Sequence, residues 1–256
     1  MQSALEWIDG REDMGEIALF LDFDGTLAPI VDRPGDARPL DGIADLVGSI
    51  GERIPVGVIS GRGLDDVFKR LGVAGIYYSG SHGMEIQEPD GSRDKSAQLE
   101  ALIPEVDRHE AWLRRRFSEI SEVEIERKRF GVAVHFRRRP QMREEVEKAV
   151  RQIVEESGGL RAERGKMVRE VQPDVDRDKG TALRSIWNRF DAEQRRRPIY
   201  IGDDRTDEDA FSAIQEVGLG ILVAEEQRPS AARLRLSNPE EVRDFLRRLS
   251  EKLQAS

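Results

Sequence analysis

Asp22 and Asp24 stand two residues apart in the segment Asp22-Phe23-Asp24-Gly25-Thr26, which closes an apolar run over residues 17–22. At that spacing both carboxylates can turn into one site as the chain leaves extended geometry, and Gly25 permits the tight turn. A carboxylate, with a reference pKa of about 4, is ionised at neutral pH and can attack phosphorus without an activating base. A second carboxylate can then protonate the leaving alcohol and deprotonate water, provided that burial or neighbouring charge raises its pKa. These are the roles open to Asp22 and Asp24. Taken alone, the segment reads equally well as an acidic turn after a strand.

Three further segments supply the rest of what phosphoryl transfer needs. Gly202-Asp203-Asp204-Arg205-Thr206-Asp207-Glu208 places a second acidic cluster behind another apolar run. Mg²⁺ takes oxygen ligands in octahedral array and keeps several waters. Asp22, the Asp24 carbonyl and Asp203 can supply three of those ligands, with Asp207 coordinating directly or supporting from behind. Asp204 and Glu208 suit helix capping and dipole placement at least as well. Ser60-Gly61-Arg62 follows the run over 54–59, and a hydroxyl with backbone N–H groups at a helix start can hold a phosphate. Lys179, between Asp178 and Gly180, offers a positive charge that screens the nucleophile from a phosphate dianion.

The elements that must position these residues alternate. Apolar runs at 17–22, 54–59, 76–79, 198–202 and 218–223 read as buried strands, and helical patterns cover 39–50, 63–71, 179–189, 206–214 and 239–253. Such alternation implies a parallel sheet with ligands at the carboxyl ends of its strands. The texture changes beyond Gly83. Residues 98–118 and 141–157 read as long charged helices, whereas 122–126, 131–137 and 160–171 read as half-exposed antiparallel strands. A two-domain organisation is therefore expected, with residues 1–83 and 173–256 forming the core and 84–172 an inserted α+β domain.

Composition narrows the function classes. The chain has no cysteine, which removes disulfides, zinc–thiolate sites and thiol catalysis. Its net charge of −9 argues against nucleic acid and anionic membranes as partners, since both need a basic face. No apolar run reaches the roughly 20 residues of a membrane span, and the acidic start does not resemble a signal peptide. A cytoplasmic monomer acting on a small molecule is expected. The arginine clusters 114–116, 137–139 and 195–197 read as solvated faces, and His109, mid-helix with no motif around it, as a solvated side chain.

The segments DFDGT, SGR, DKG and GDDRTDE, in that order, resemble the four motifs of the haloacid dehalogenase superfamily, with the insert where that superfamily places type 2 caps. The resemblance implies a Rossmann-like core, an aspartyl-phosphate intermediate on Asp22, Asp24 as acid and base, and Ser60 and Lys179 on phosphate. It also implies Mg²⁺ held around Asp22, Asp24, Asp203 and Asp207. Within the superfamily, GSHGMEI at 80–86 and the insert's ERKRFGVAVHFR and GKMVREVQP are similar to trehalose-6-phosphate phosphatases. That similarity implies a sugar phosphate substrate and puts Thr26, Ser60, Gly61 and Arg62 near the phosphate. It puts His82 at the core–cap boundary, and Lys128, His135, Arg137, Lys166 and Glu170 toward the sugar. Alternation predicts that His135 and Arg137 share a strand face and that Lys128 precedes the turn. Gln172 stands where the family often has arginine.

Overall fold

The computed structural model describes the chain apart from residues 12, 13, 15, 95 and 256 and the side chains of His82 and Ala97. It divides into two compact units, Met1–Asp94 with Arg177–Ser256, and Lys95–Asp176.

Unit 1 is built on an eight-stranded sheet. In chain order its elements are β1 (Gln2–Ser3), α1 (Ala4–Asp9), β2 (Ile17–Leu21), α2 (Ile43–Gly51), β3 (Val56–Ile59), α3 (Leu64–Leu71), β4 (Tyr77–Gly80) and β5 (Glu85–Gln87). Unit 2 then intervenes, with α4 (Ala97–Arg116), β6 (Glu124–Lys128), β7 (Gly131–His135), α5 (Arg143–Glu156), β8 (Leu160–Gly165) and β9 (Val168–Pro173). Unit 1 resumes with α6 (Lys179–Phe190), β10 (Arg197–Gly202), α7 (Asp207–Ala213), β11 (Leu219–Val223), β12 (Leu234–Leu236) and α8 (Pro239–Ala255).

The large sheet runs β1-β12-β11-β10-β2-β3-β4-β5, parallel throughout except where β5 pairs antiparallel with β4. Both faces are covered, which is why β2 is apolar at every position rather than alternating. Ile17, Leu19 and Leu21 enter one core with residues of α1, α2, α3 and α8. Ala18 and Phe20 enter the other, against α6 and α7. At the centre β2 lies between β3 and β10, with Leu21 beside Ile201 and Val58. The loops after these three strands therefore emerge side by side, where open α/β sheets place their ligands. The expected α/β fold is present, and both boundaries of the insert move, the later one from residue 172 to Asp176. Residues 84–94 belong to unit 1 rather than to the insert, because β5 completes the edge of the large sheet.

In unit 2 the four strands are ordered β6-β7-β9-β8 and are antiparallel. Val132, Val134, Val171 and Leu160 pack with Val106, Leu113, Val146, Val150 and Ile153 of the two helices. Arg127 bonds Asp107 of α4, and Arg169 bonds Glu147 of α5, so these arginines lie on the helix-covered face too. His109 corrects an expectation. It is 7% exposed, since its spacing from Val106 and Leu113 puts it on the packed stripe of α4, 3.5 Å from Glu105. Arg114, Arg138 and Arg195, by contrast, are more than half exposed, each facing a glutamate.

Candidate active site

Asp22 follows β2 directly and Asp203 follows β10, the adjacent strand; the Asp22 amide donates to the Ile201 carbonyl at 2.9 Å. This pairing brings two acidic loops together. Gly25, at φ +75°, makes the approach possible: a Cβ there would lie 2.0 Å from an Asp203 carboxylate oxygen. Gly202 does the same for Asp207, whose carboxyl carbon would be 2.3 Å from an added Cβ.

Asp22, Asp203 and Asp207 each offer a carboxylate oxygen, all within 4.8 Å of one another. Lys179 completes the cluster. Asp178 caps α6 by accepting from the Thr181 amide at 2.6 Å, while the Thr181 hydroxyl accepts from the Asp178 amide at 2.9 Å. That capping box fixes the first helical residue, Lys179, whose Nζ lies 2.8 Å from Asp22 Oδ1 and 2.7 Å from Asp207 Oδ1. Contrary to the usual solvated lysine, it is 3% exposed.

Asp207 has little capacity left. Its Oδ1 accepts from Lys179 and, at 2.6 Å, from the buried Tyr200 hydroxyl. Its Oδ2 accepts from the Asp204 amide at 2.9 Å. One lone pair on Oδ2 remains for a cation, so Asp207 mainly orients Lys179. Tyr200 was invisible to the sequence argument, where it reads as one more apolar strand residue.

The electrostatics follow from burial and crowding. Burial works against the Lys179 ammonium, but Asp207 and Asp22 outweigh it and raise its pKa. Burial raises Asp22 well above the usual carboxylate range, with Lys179 opposing and Asp207 and Asp203 adding repulsion. Asp203 is pushed up to about 7, first by burial and then by Asp207. Three carboxylates thus share one ammonium, which leaves two negative charges in the cluster when all are ionised. An all-oxygen donor set with that deficit fits a hard divalent cation.

The remaining predicted residues are distributed around this cluster. Ser60 follows β3 and is 1% exposed; its hydroxyl accepts from the Arg62 amide at 3.1 Å across Gly61. The Thr26 hydroxyl is fully buried with no hydrogen-bond partner among the described residues, an unmet capacity suited to an incoming polar group. Arg62 is engaged elsewhere than at an open phosphate position. Its Nε and Nη2 donate to the two oxygens of Asp24, both at 2.6 Å. Nη1 donates to Asp66 at 2.8 Å and Nη2 to the Pro34 carbonyl at 2.9 Å. The Asp24 side chain accordingly stands with Arg62, outside the acidic triad.

In unit 2, Lys128 directly precedes the turn at 129–130, as expected, and still shares a face with His135. It is the last residue of β6 and pairs with Gly131, so it shares the face of Ala133 and His135, opposite the helices. Lys128 bonds Glu170 at 2.7 Å, both 16% exposed, and His135 bonds Glu126 at 2.7 Å. Arg137 lies beyond the end of β7, which stops at His135, and is exposed. Lys166 is exposed in the turn between β8 and β9. Gln172 is buried beside Arg161. The His82 side chain falls outside the described residues.

A residue with no motif around it also touches the site. Arg228, between β11 and β12, donates to the carbonyls of Asp203 and Asp204 and to the Glu208 carboxylate.

Comparison with known proteins places this arrangement. The family described as Trehalose-phosphatase matches residues 20–240. A trehalose-phosphate phosphatase of Mycobacterium ulcerans is 41% identical over 242 residues, covering 92% of this chain and 62% of that protein. One from Mycobacterium leprae is 41% identical over 249 residues, covering 92% and 58%. The chain therefore spans less than two thirds of the length of these curated relatives. A solved trehalose-6-phosphate phosphatase related protein superposes with a TM-score of 0.78 at 25% identity, over 93% of this chain and all of that one. From its sequence match and its haloacid dehalogenase fold, the chain belongs to the trehalose-phosphatase family.

Proposed function

We propose that this chain hydrolyses trehalose 6-phosphate to trehalose and phosphate through an aspartyl-phosphate on Asp22, with Mg²⁺ bound at Asp22 and Asp203. The observation that carries the proposal is the cluster of Asp22, Lys179, Asp203 and Asp207, in which a buried ammonium touches the attacking carboxylate. Asp22, Asp203, the Asp24 carbonyl and the free lone pair of Asp207 would hold the ion. When bound, the ion withdraws negative charge from the transferring phosphoryl group and lowers the pKa of Asp22.

Asp22 attacks phosphorus while Lys179, held by Asp207, neutralises charge gathering on the phosphoryl oxygens. Ser60 and Thr26 hydroxyls donate to the phosphate. Asp24 protonates the departing sugar oxygen and then deprotonates the water that opens the acyl phosphate. To carry that proton Asp24 must release one of the two hydrogen bonds it accepts from Arg62. Lys128, Glu170 and His135, on the open face of the unit 2 sheet, present the charged and polar groups suited to sugar hydroxyls, with Arg137 and Lys166 flanking them.

The test is phosphate release over a panel of sugar phosphates, with Mg²⁺ and with chelator. Trehalose 6-phosphate should be turned over in preference to sucrose and glycosylglycerate phosphates, and chelation should abolish the reaction. Equal rates across the panel would overturn the substrate; accumulation of an isomeric sugar phosphate instead of free phosphate would identify a mutase.

A further inference from the structure

The loop that carries Asp203 is held from behind. Arg228 lies in the connection between β11 and β12, and its Nη2 donates to the Asp203 carbonyl at 3.0 Å and the Asp204 carbonyl at 3.2 Å. Its Nη1 donates to Glu208 Oε1 at 3.0 Å. Glu208, the second residue of α7, is itself fixed to the same connection: its Oε2 accepts from the Ser230 hydroxyl at 3.1 Å and the Ala231 amide at 2.8 Å. Five hydrogen bonds thus tie the Asp203–Asp204 backbone, the start of α7 and the 228–231 segment into one closed unit. Three of them radiate from a single planar guanidinium. A lysine ammonium, a point donor on a flexible stem, cannot span two successive carbonyls and a carboxylate in the same way.

Backbone carbonyls are what this brace holds, and the reason lies in the chemistry of the loop. The Asp203 side chain must stand within a few ångströms of Asp22 and Asp207 against their mutual repulsion, which pushes the loop outward. Arg228 restrains that movement by bonding the Asp203 and Asp204 carbonyls to the 228–231 connection and, through Glu208, to the start of α7.

We propose that Arg228, anchored by Glu208, is a positioning residue for the metal site: it acts through the Asp203 backbone and touches neither ion nor substrate. The proposal rests on the divalent-cation reading of the acidic cluster.

Calorimetric titration of the full chain with Mg²⁺ tests it, in wild type, Arg228→Ala, Arg228→Lys and Glu208→Gln. Arg228→Ala should weaken Mg²⁺ binding about 10-fold, the scale of a lost outer-shell partner. Arg228→Lys should recover part of that loss. Glu208→Gln keeps an oxygen for Ser230 and Ala231 while removing the ion pair, so it should weaken binding by a smaller factor and serves where the alanine variant fails to fold. Melting curves in chelator read the structural cost of each change, and Mg²⁺ binding is compared at a temperature where every variant is folded. Superimposable Mg²⁺ isotherms for wild type and the variants would overturn the positioning role while leaving the metal site in place. Absence of Mg²⁺ binding in wild type would overturn the metal reading and the brace together.

Discussion

Arg62 grips Asp24 by both carboxylate oxygens, each at 2.6 Å, while its other donors hold Asp66 and the Pro34 carbonyl. The residue proposed to protonate the leaving group is therefore oriented by the arginine of the neighbouring strand's loop. A general acid matters most when the leaving alcohol is poor. Arg62→Ala should accordingly lower kcat on a sugar phosphate by about 100-fold and on p-nitrophenyl phosphate, whose leaving group needs no proton, by much less. Parallel steady-state kinetics on the two substrates check this; equal losses would point to a phosphate-binding role instead.

Asp22→Asn should abolish turnover and leave the fold intact. The amide keeps the shape of the carboxylate but cannot attack, and it removes one of three crowded negative charges while Lys179 keeps Asp207. In chelator the variant should melt no lower than wild type, whereas added Mg²⁺ should stabilise it less. Thermal denaturation with and without the ion reads both effects.

The raised Asp203 carboxyl makes stability depend on pH in a defined direction. Its folded pKa of about 7 exceeds the roughly 3.9 of an unfolded aspartate. The folded state therefore binds more protons between these values. The contribution is fully present below about pH 4 and is lost as pH rises through 7, amounting to about 4 kcal/mol at most. A bound divalent ion replaces the proton, so the stabilisation by Mg²⁺ over chelator should grow from pH 5 to pH 8. Melting curves at stepped pH test the sign; a constant Mg²⁺ increment would contradict it.

Gly25→Ala should be far more damaging than its size suggests. The new methyl group would overlap the Asp203 carboxylate, and the left-handed backbone itself costs about 1 kcal/mol for a non-glycine residue. Displacing Asp203 by an ångström is expected to lower kcat about 100-fold and to weaken Mg²⁺ binding in the same variant, measurable by kinetics and titration.

The strands that carry the candidate site's loops were readable because β2, β3, β10 and β11 are buried on both faces and so appear as unbroken apolar runs. The short strands β1 and β5 at the two edges and β12 beside β1 have two or three residues each, too few for any periodicity, and missing β5 misplaced the first domain boundary. Motif order located Asp22, Lys179 and Asp203, but it could not reveal that Arg62 would be spent on Asp24. That Lys128 shares the His135 face follows from its pairing with Gly131 across the turn, which spacing along the chain does not show. The burial of His109 was available in its spacing from Val106 and Leu113, and the absence of a motif outweighed it. Tyr200 and Arg228 carried no signal, since one reads as core and the other as a loop arginine.

The pairing of β2 with β10 has a consequence for how the chain folds. Ile17 and Arg197 are partners in that ladder, yet β3 to β5 and the whole of unit 2 lie between them in the chain. Closing so long a loop carries an entropic cost that grows only slowly with length, but contacts this distant slow the search for the native topology. During synthesis, where N-terminal segments emerge and fold first, Asp22 must wait for Lys179 and Asp203. Until then Asp22, the proposed nucleophile, lacks its Lys179 counterion, and the strand that docks beside β2 at the centre of the sheet is also the one that completes the acidic cluster.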